Sequence, residues 1–466
     1  MIVMTRDLAR RFRAVAKKCL AGRPRAPASP VVCRVRAGVL CLWTRIESVG
    51  LLYSMPSAGP NESLVIPMDV FAAIEGTEPD PVELSVGPKL QGTAKWTDRG
   101  VPQTKSFEAI VAGKQHGIPD CPELSPLSGE FLTALHECGK TAARDVGRFV
   151  LDHLQIRGKA GQVIATDSKR ALVWGGFVFP FGGDVLIPAI PAFGCRELAG
   201  AAEVRVGHST TELIVACGSW SVHLPVHTTG KYPDVLSILP KPGTGTTARL
   251  EEAEAAELLY VLPALPGAKE ENQPVTLDLA EGLVVRARDD ATARVRELSL
   301  RAVTAGPGRS VAVDREALGR ALTLGCRTIR IHPVAQTLSL DGPNRTFLVA
   351  ALDPTRIVPR PESSPRSDKI DKPCADRQSP HSTSERSTPM KAHESNGSSS
   401  NGRHDPPAEE TLDPLIEAEA LRAAIAEVGT RVGRLVTALR SSRKEKKVLA
   451  GVWAGLKQLN LGGGTP

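Results

Sequence analysis

Four basic residues near the N-terminus share one helical spacing: Arg6, Arg10, Arg13 and Lys17. Steps of four, three and four residues put side chains on one helix face, and a row of cationic groups suits phosphates. Leu8, Phe12, Val15 and Cys19 form an apolar stripe beside it. The pattern predicts a helix from Thr5 to Leu20 with one side buried and one side basic. An ordinary solvated helix face would carry the same charges. No motif of comparable quality points to catalysis. The chain has no Gly-x-Ser-x-Gly, no Gly-x-x-x-x-Gly-Lys-Ser/Thr phosphate loop and no His-Glu-x-x-His. Nine cysteines include no Cys-x-x-Cys pair, which predicts buried reduced thiols, no metal and no cofactor. His223 and His227 flank an apolar strand and read as structural.

These residues belong to a long chain that repeats itself. The 466 residues leave room for about three domains. Hydrophobic residues make up 41% and aromatics only 4%, so the cores should be built from Val, Leu, Ile and Ala. Of the net charge of +7, the part from Thr355 onward carries 18 Lys and Arg against 14 Asp and Glu. The remaining 40 against 37 is nearly neutral, which predicts local basic patches rather than a basic coat. No apolar run reaches 18 residues, so no membrane partner is expected and the cytoplasm is the default location.

Apolar strands ending at Ile66, Ile187 and Val313 recur 121 and 126 positions apart, each leading through a short amphipathic segment to another strand. The following strands start at Val82, Val204 and Ile329, spaced 122 and 125 apart. A period this long is a domain, not a solenoid unit. The predicted organisation is α+β: domains at 1–121, 122–241 and 242–357, each with two halves of helix plus strands. A Ser-, Pro- and Asn-rich disordered linker is expected over 358–411. A helical tail with a short heptad seam (Leu421, Ile425, Val428, Val432, Leu435, Leu439) is expected over 412–461.

Ala165-Thr166-Asp167-Ser168-Lys169-Arg170-Ala171, followed by Lys231-Tyr232-Pro233-Asp234 and Ile238-Leu239-Pro240, resembles the bacterial sliding clamp, the beta subunit of DNA polymerase III. Gly22-Arg23-Pro24 and Asp145-Val146-Gly147-Arg148-Phe149 resemble further family segments, in order, across residues 1–357. The resemblance implies three tandem clamp domains, helices inside and sheets outside, that form half of a ring. Two subunits would close head-to-tail around double-stranded DNA. It implies no catalysis by this chain. Arg23 and Arg148 match DNA-touching positions and would join Arg6, Arg10, Arg13 and Lys17.

The resemblance also implies an apolar pocket for short peptides of the polymerase catalytic subunit, the clamp loader and repair proteins. Its residues would be Leu151, Thr166, Ser168, Arg170, Ala171, Pro233 and Ile238, with Leu348 and Ala350 as the last wall. Departures from the family are visible. Ser168-Lys169 replaces Gly-His, Ala171 replaces Leu, and Ala189-Ile190-Pro191 stands where a basic pair is common. Glu251, Glu252, Glu254 and Glu257 put acid on a helix of the inner wall. These changes also fit a clamp-derived paralogue that acts as a protein scaffold without a replication role. Gln458-Leu459-Asn460-Leu461 resembles the Gln-Leu-x-Leu-Phe peptide of clamp partners, with Gly462 in place of Phe.

Overall fold

The computed structural model describes residues 1–20, 29–113, 116–143, 150–201, 203–228, 231–239, 243–332 and 337–360. Arg23, Arg148, the helical tail and nearly all of the expected linker lie outside the described residues. Six α-helices are present among them: α1 (Arg6–Lys18), α2 (Met68–Ile74), α3 (Glu130–Thr141), α4 (Arg196–Ala199), α5 (Glu252–Val261) and α6 (Arg315–Thr323). They pack in consecutive pairs, α1 with α2, α3 with α4 and α5 with α6.

Local sequence explains two of the helix starts. Thr5 caps α1 by accepting the Leu8 N–H, and Asp314 caps α6 by accepting the Ala317 N–H. The apolar stripe of α1 is buried as its spacing requires: Leu8, Phe12 and Val15 are all in the core. Phe12 meets Phe71 of α2 at 5.6 Å and Trp220 at 6.1 Å between ring centroids.

The strands form four sheets. In an eight-stranded sheet, Glu62–Ile66, Val31–Arg36, Val39–Ile46 and Val49–Pro56 continue into Trp220–Pro225, Glu212–Cys217, Val204–His208 and Ser125–Leu127. A nine-stranded sheet runs from Asp184–Pro188 through His153–Arg157, Gln162–Thr166 and Arg170–Trp174. It then continues into Arg345–Ala350, Thr337–Gly342, Thr328–Ile331, Thr246–Leu250 and Ala302–Ala305. Each large sheet is therefore two smaller ones joined at an antiparallel seam, Val49–Pro56 to Trp220–Pro225 and Arg170–Trp174 to Arg345–Ala350.

The other two sheets have four strands each, and among the described residues neither is paired strand to strand with another sheet. One runs Ile2–Thr5, Pro81–Val86, Gln91–Asp98, Val101–Glu108, and the other Val295–Leu300, Leu283–Arg288, Pro274–Asp278, Ser310–Asp314. Among the described residues Val101–Glu108 and Val295–Leu300 are open edges, each with a neighbour on one side only. Pro102 stands in the first, a residue that sheets tolerate at edges because it donates no ladder hydrogen bond.

The α+β class is as predicted. The chain is anchored slightly beyond residue 357: Val358 is buried and its N–H bonds the Thr276 hydroxyl at 2.8 Å. Arg356 ties the same segment to Glu270 (2.6 Å) and Asp290 (3.0 Å). Five of the eight described cysteines are buried. Burial pushes the thiols of Cys19, Cys217 and Cys326 up to about 12, so none offers a thiolate near neutral pH. Among the described residues no group of His, Cys, Asp and Glu could hold a metal, and no helix is long and apolar enough to cross a membrane.

Candidate functional site

The basic face of α1 is smaller than its spacing suggests. Arg6 is buried, and its guanidinium pairs with Asp98 at 2.8 Å and Asp80 at 3.6 Å. Its Nε donates to the Ile74 carbonyl just where α2 ends. A cation there meets the negative end of the α2 dipole, so Arg6 holds two helices together and is withdrawn from the basic row. The repeat contained the clue. Arg315 has the same place after strand and cap in α6, and it grips the carbonyls of Leu265 and Pro266.

Arg10 pairs with Asp7 at 2.7 Å, and Arg13 with Glu75 at 2.6 Å, so both are half-neutralised. Lys17 and the neighbouring Lys18 are exposed in the last turn. These two lysines are the most available cations of the face. Replacing both by Ala should lower the slope of log affinity against log salt for duplex DNA by up to about 2. Arg6→Ala should leave that slope unchanged while lowering stability. A titration of all three proteins over a salt series checks both outcomes.

The residues expected to form a peptide pocket divide into a turn, a wall and a cover. In the turn, the Thr166 hydroxyl donates to the Arg170 carbonyl (2.8 Å) and accepts the Ser168 N–H (3.1 Å). Asp167 accepts the backbone N–H groups of Lys169 and Arg170, and its other oxygen takes the Arg170 Nε at 3.2 Å. Ser168 sits at φ 77°, a left-handed conformation that costs a serine more than a glycine. Ala171 lies directly opposite Leu348 across the seam of the nine-stranded sheet, and the Ala350 N–H donates to the Lys169 carbonyl at 2.9 Å.

Ala171 and Leu348 belong to a small apolar cluster, separate from the main core, with Ile164, Val173 and Val235. Tyr232, Leu236 and Leu239 pack on it as a cover. Asp234 starts the cover's single helical turn by accepting the Ser237 N–H, and the Tyr232 hydroxyl donates to the Ile164 carbonyl at 3.3 Å. Pro233 precedes this turn and Ile238 ends it, with half its surface exposed. Leu151 is not part of the cluster. Its carbonyl accepts the Ala143 N–H at 2.9 Å, beyond the C-terminal end of α3.

Sequence reasoning missed the cluster members other than Ala171 and Leu348. Alternation could have found Ile164 and Val173, which face away from the core-facing Val163, Ala165 and Leu172. It also missed Arg320. From α6 this side chain donates to the Glu137 carbonyl (2.6 Å), the Thr141 hydroxyl (2.9 Å) and the Lys140 carbonyl (3.2 Å), capping α3 from 180 positions away. Ala189-Ile190-Pro191 carries no charge, and Ile190 is buried. Glu251, just before α5, and Glu252 and Glu257 on it are exposed, and Glu254 is half-buried.

No protein-family model matches the chain, and no curated protein matches it in sequence. Solved structures do match. A sliding clamp (DNA polymerase III subunit beta) from Pseudomonas aeruginosa aligns with a TM-score of 0.61 at 16% identity, over 76% of this chain and 99% of that one. DNA polymerase III subunit beta from Borrelia burgdorferi gives 0.61 at 12% identity, over 75% of this chain and 97% of that one. The DNA polymerase III beta chain from Streptococcus pneumoniae gives 0.59 at 13%, over 75% and 99%. At such identities the likeness is one of fold: this chain has the multi-domain α+β fold of the bacterial DNA polymerase III beta subunits.

Proposed function

We propose that the chain is a DNA sliding clamp: a head-to-tail homodimer that encircles duplex DNA and tethers a polymerase as a processivity factor. The domains would be 1–121, 122–241 and 242–357. The observation that carries this reading is the sheet topology. Two in-chain seams each join half-sheets edge to edge, and two half-sheets are left with open edges at Val101–Glu108 and Val295–Leu300. Pairing one open edge with the other edge of a second copy repeats the seam twice more and closes a ring without free edges between subunits.

The exposed Lys17 and Lys18 would meet phosphates without reading bases, which is what sliding requires. Arg10 and Arg13 would help, as would Arg23 and Arg148. The cluster of Ala171 and Leu348, beside Thr166, Ser168, Arg170, Pro233, Ile238 and Ala350, would take aliphatic-aromatic peptides of the polymerase catalytic subunit, clamp loader and repair proteins. The chain would work in the cytoplasm, with no chemistry of its own. Sedimentation of the full chain should give a dimer at micromolar concentration, and a monomer there would remove the ring.

The second reading, a clamp-derived scaffold paralogue, is favoured by the acidic surface of α5 and by the withdrawal of Arg6 from the basic row. Both reduce the attraction of the inner wall for phosphate. A dimer that binds the peptide but never holds circular DNA would favour it.

A further inference from the structure

The seam that carries the pocket has a counterpart at the other in-chain seam, and the two match register for register. Trp43 faces Leu52 as Ile164 faces Val173, and Arg45 faces Gly50 as Thr166 faces Ala171. Each of these positions precedes its counterpart by 121 residues (43 to 164, 45 to 166, 50 to 171, 52 to 173). Across the seam, Gly50 faces His223 as Ala171 faces Leu348, which lies 125 residues later. The cover repeats at one position. Ile118 packs on the first cluster, and Leu239, again 121 residues later, packs on the second.

The filling differs, and so does the cover, because among the described residues Tyr232 and Leu236 join Leu239 only at the second seam. At the first seam the Trp43 indole occupies the cluster with Val32 and Val65, and it is 2% exposed. The His223 ring meets it edge-on at 5.0 Å, and the Arg45 guanidinium lies 5.7 Å from the ring centroid. Glu212 holds both neighbours, His223 Nδ1 at 3.1 Å and Arg45 at 2.7 Å. Gly50 is the space that the indole needs: a β-carbon there would stand 2.3 Å from Trp43 Cη2. At the second seam the same two positions hold Ile164 and Ala171, which fill less volume above the sheet.

We infer that the first seam is a second copy of the peptide site, closed by the chain's own Trp43. The pair Trp43–Gly50 against Ile164–Ala171 then decides which of the two seams accepts a ligand. An indole buries as much surface as the aromatic anchor of a peptide. Held in place by the backbone, it is present at an effective concentration that no free peptide reaches. The site it closes is shaped for a planar aromatic group, with indole as the matching probe. The inference rests on the reading of the second seam as a peptide pocket, and two experiments separate their failures.

In the first, Trp43→Ala is made in the full chain, and the thermal midpoint and refolding yield are measured with and without millimolar indole. Indole should raise one or both in the variant and neither in the wild type. A variant that responds to indole in neither overturns the inference. In the second, Ile164→Trp and Ala171→Gly are combined to build the plug at the second seam. Affinity for a fluorescent Gln-Leu-Ser-Leu-Phe peptide should fall by about tenfold or more while circular dichroism stays native. Unchanged affinity in that folded variant overturns the inference. If wild type does not bind the peptide, the pocket reading fails. In that case, or if the double variant does not fold, the indole experiment alone decides.

Discussion

Ser106→Pro should convert the proposed dimer into a folded monomer. In the hairpin of Gln91–Asp98 with Val101–Glu108, Asp98 and Val101 flank a two-residue turn at Arg99-Gly100, both with positive φ. Hydrogen-bonded and open pairs alternate from there, so Thr104, Ser106 and Glu108 direct their N–H groups to the open edge. Proline at 106 removes one outward donor and sets its ring against an incoming strand, while the inward ladder to Gln91–Asp98 stays intact. Pro102 already occupies an equivalent outward position in the same strand. The loss should be about 2–3 kcal/mol at each seam. A ring has two such seams, so the dimer should weaken by roughly three to four powers of ten. Sedimentation at micromolar concentration reads this directly. A dimer that survives the substitution would mean that this edge is not an interface.

Arg286→Ala should unfold the third part of the body more readily than any surface change. Arg286 is 2% exposed, with Nη1 at 2.8 Å from Asp278 and Nε at 2.6 Å from Glu297. Burial pulls the guanidinium toward neutrality, but the two carboxylates outweigh it and hold the charge firmly on. Alanine leaves two carboxylates facing a cavity with no counter-charge. The expected cost is about 3 kcal/mol, the lower end for a broken buried pair because Glu297 is about one-third exposed. Urea unfolding should show the midpoint falling with the slope unchanged. A loss below about 1 kcal/mol would show that the triad is replaced by solvent.

Much of the fold was legible because strand alternation and turn chemistry repeat with the domain. Ile66 and Ile187 mark the same strand in successive repeats, and a register is hard to change when one face is buried. What stayed illegible were contacts between distant segments. Nothing local tells that Ala171 will meet Leu348, or that Arg320 will cap α3, because each pairing is made by a seam or a domain junction. Arg6 misled for a related reason. Helical spacing placed it in a basic row, whereas the first position of a helix lies beside the end of its partner helix, and the carbonyls there claimed the charge. Tyr232 stood within a motif already singled out, yet its role as cover depends on how the connecting segment folds back onto Ile164.

The central claim is topological, and it is tested by loading the full chain onto nicked circular DNA with a clamp loader and then cutting the circle. A ring bound by encirclement stays on the closed circle through a high-salt wash that removes phosphate-bound protein. It then leaves within minutes once linearisation supplies an end. Protein that departs from the intact circle in high salt, or that remains equally bound after cutting, contradicts the account.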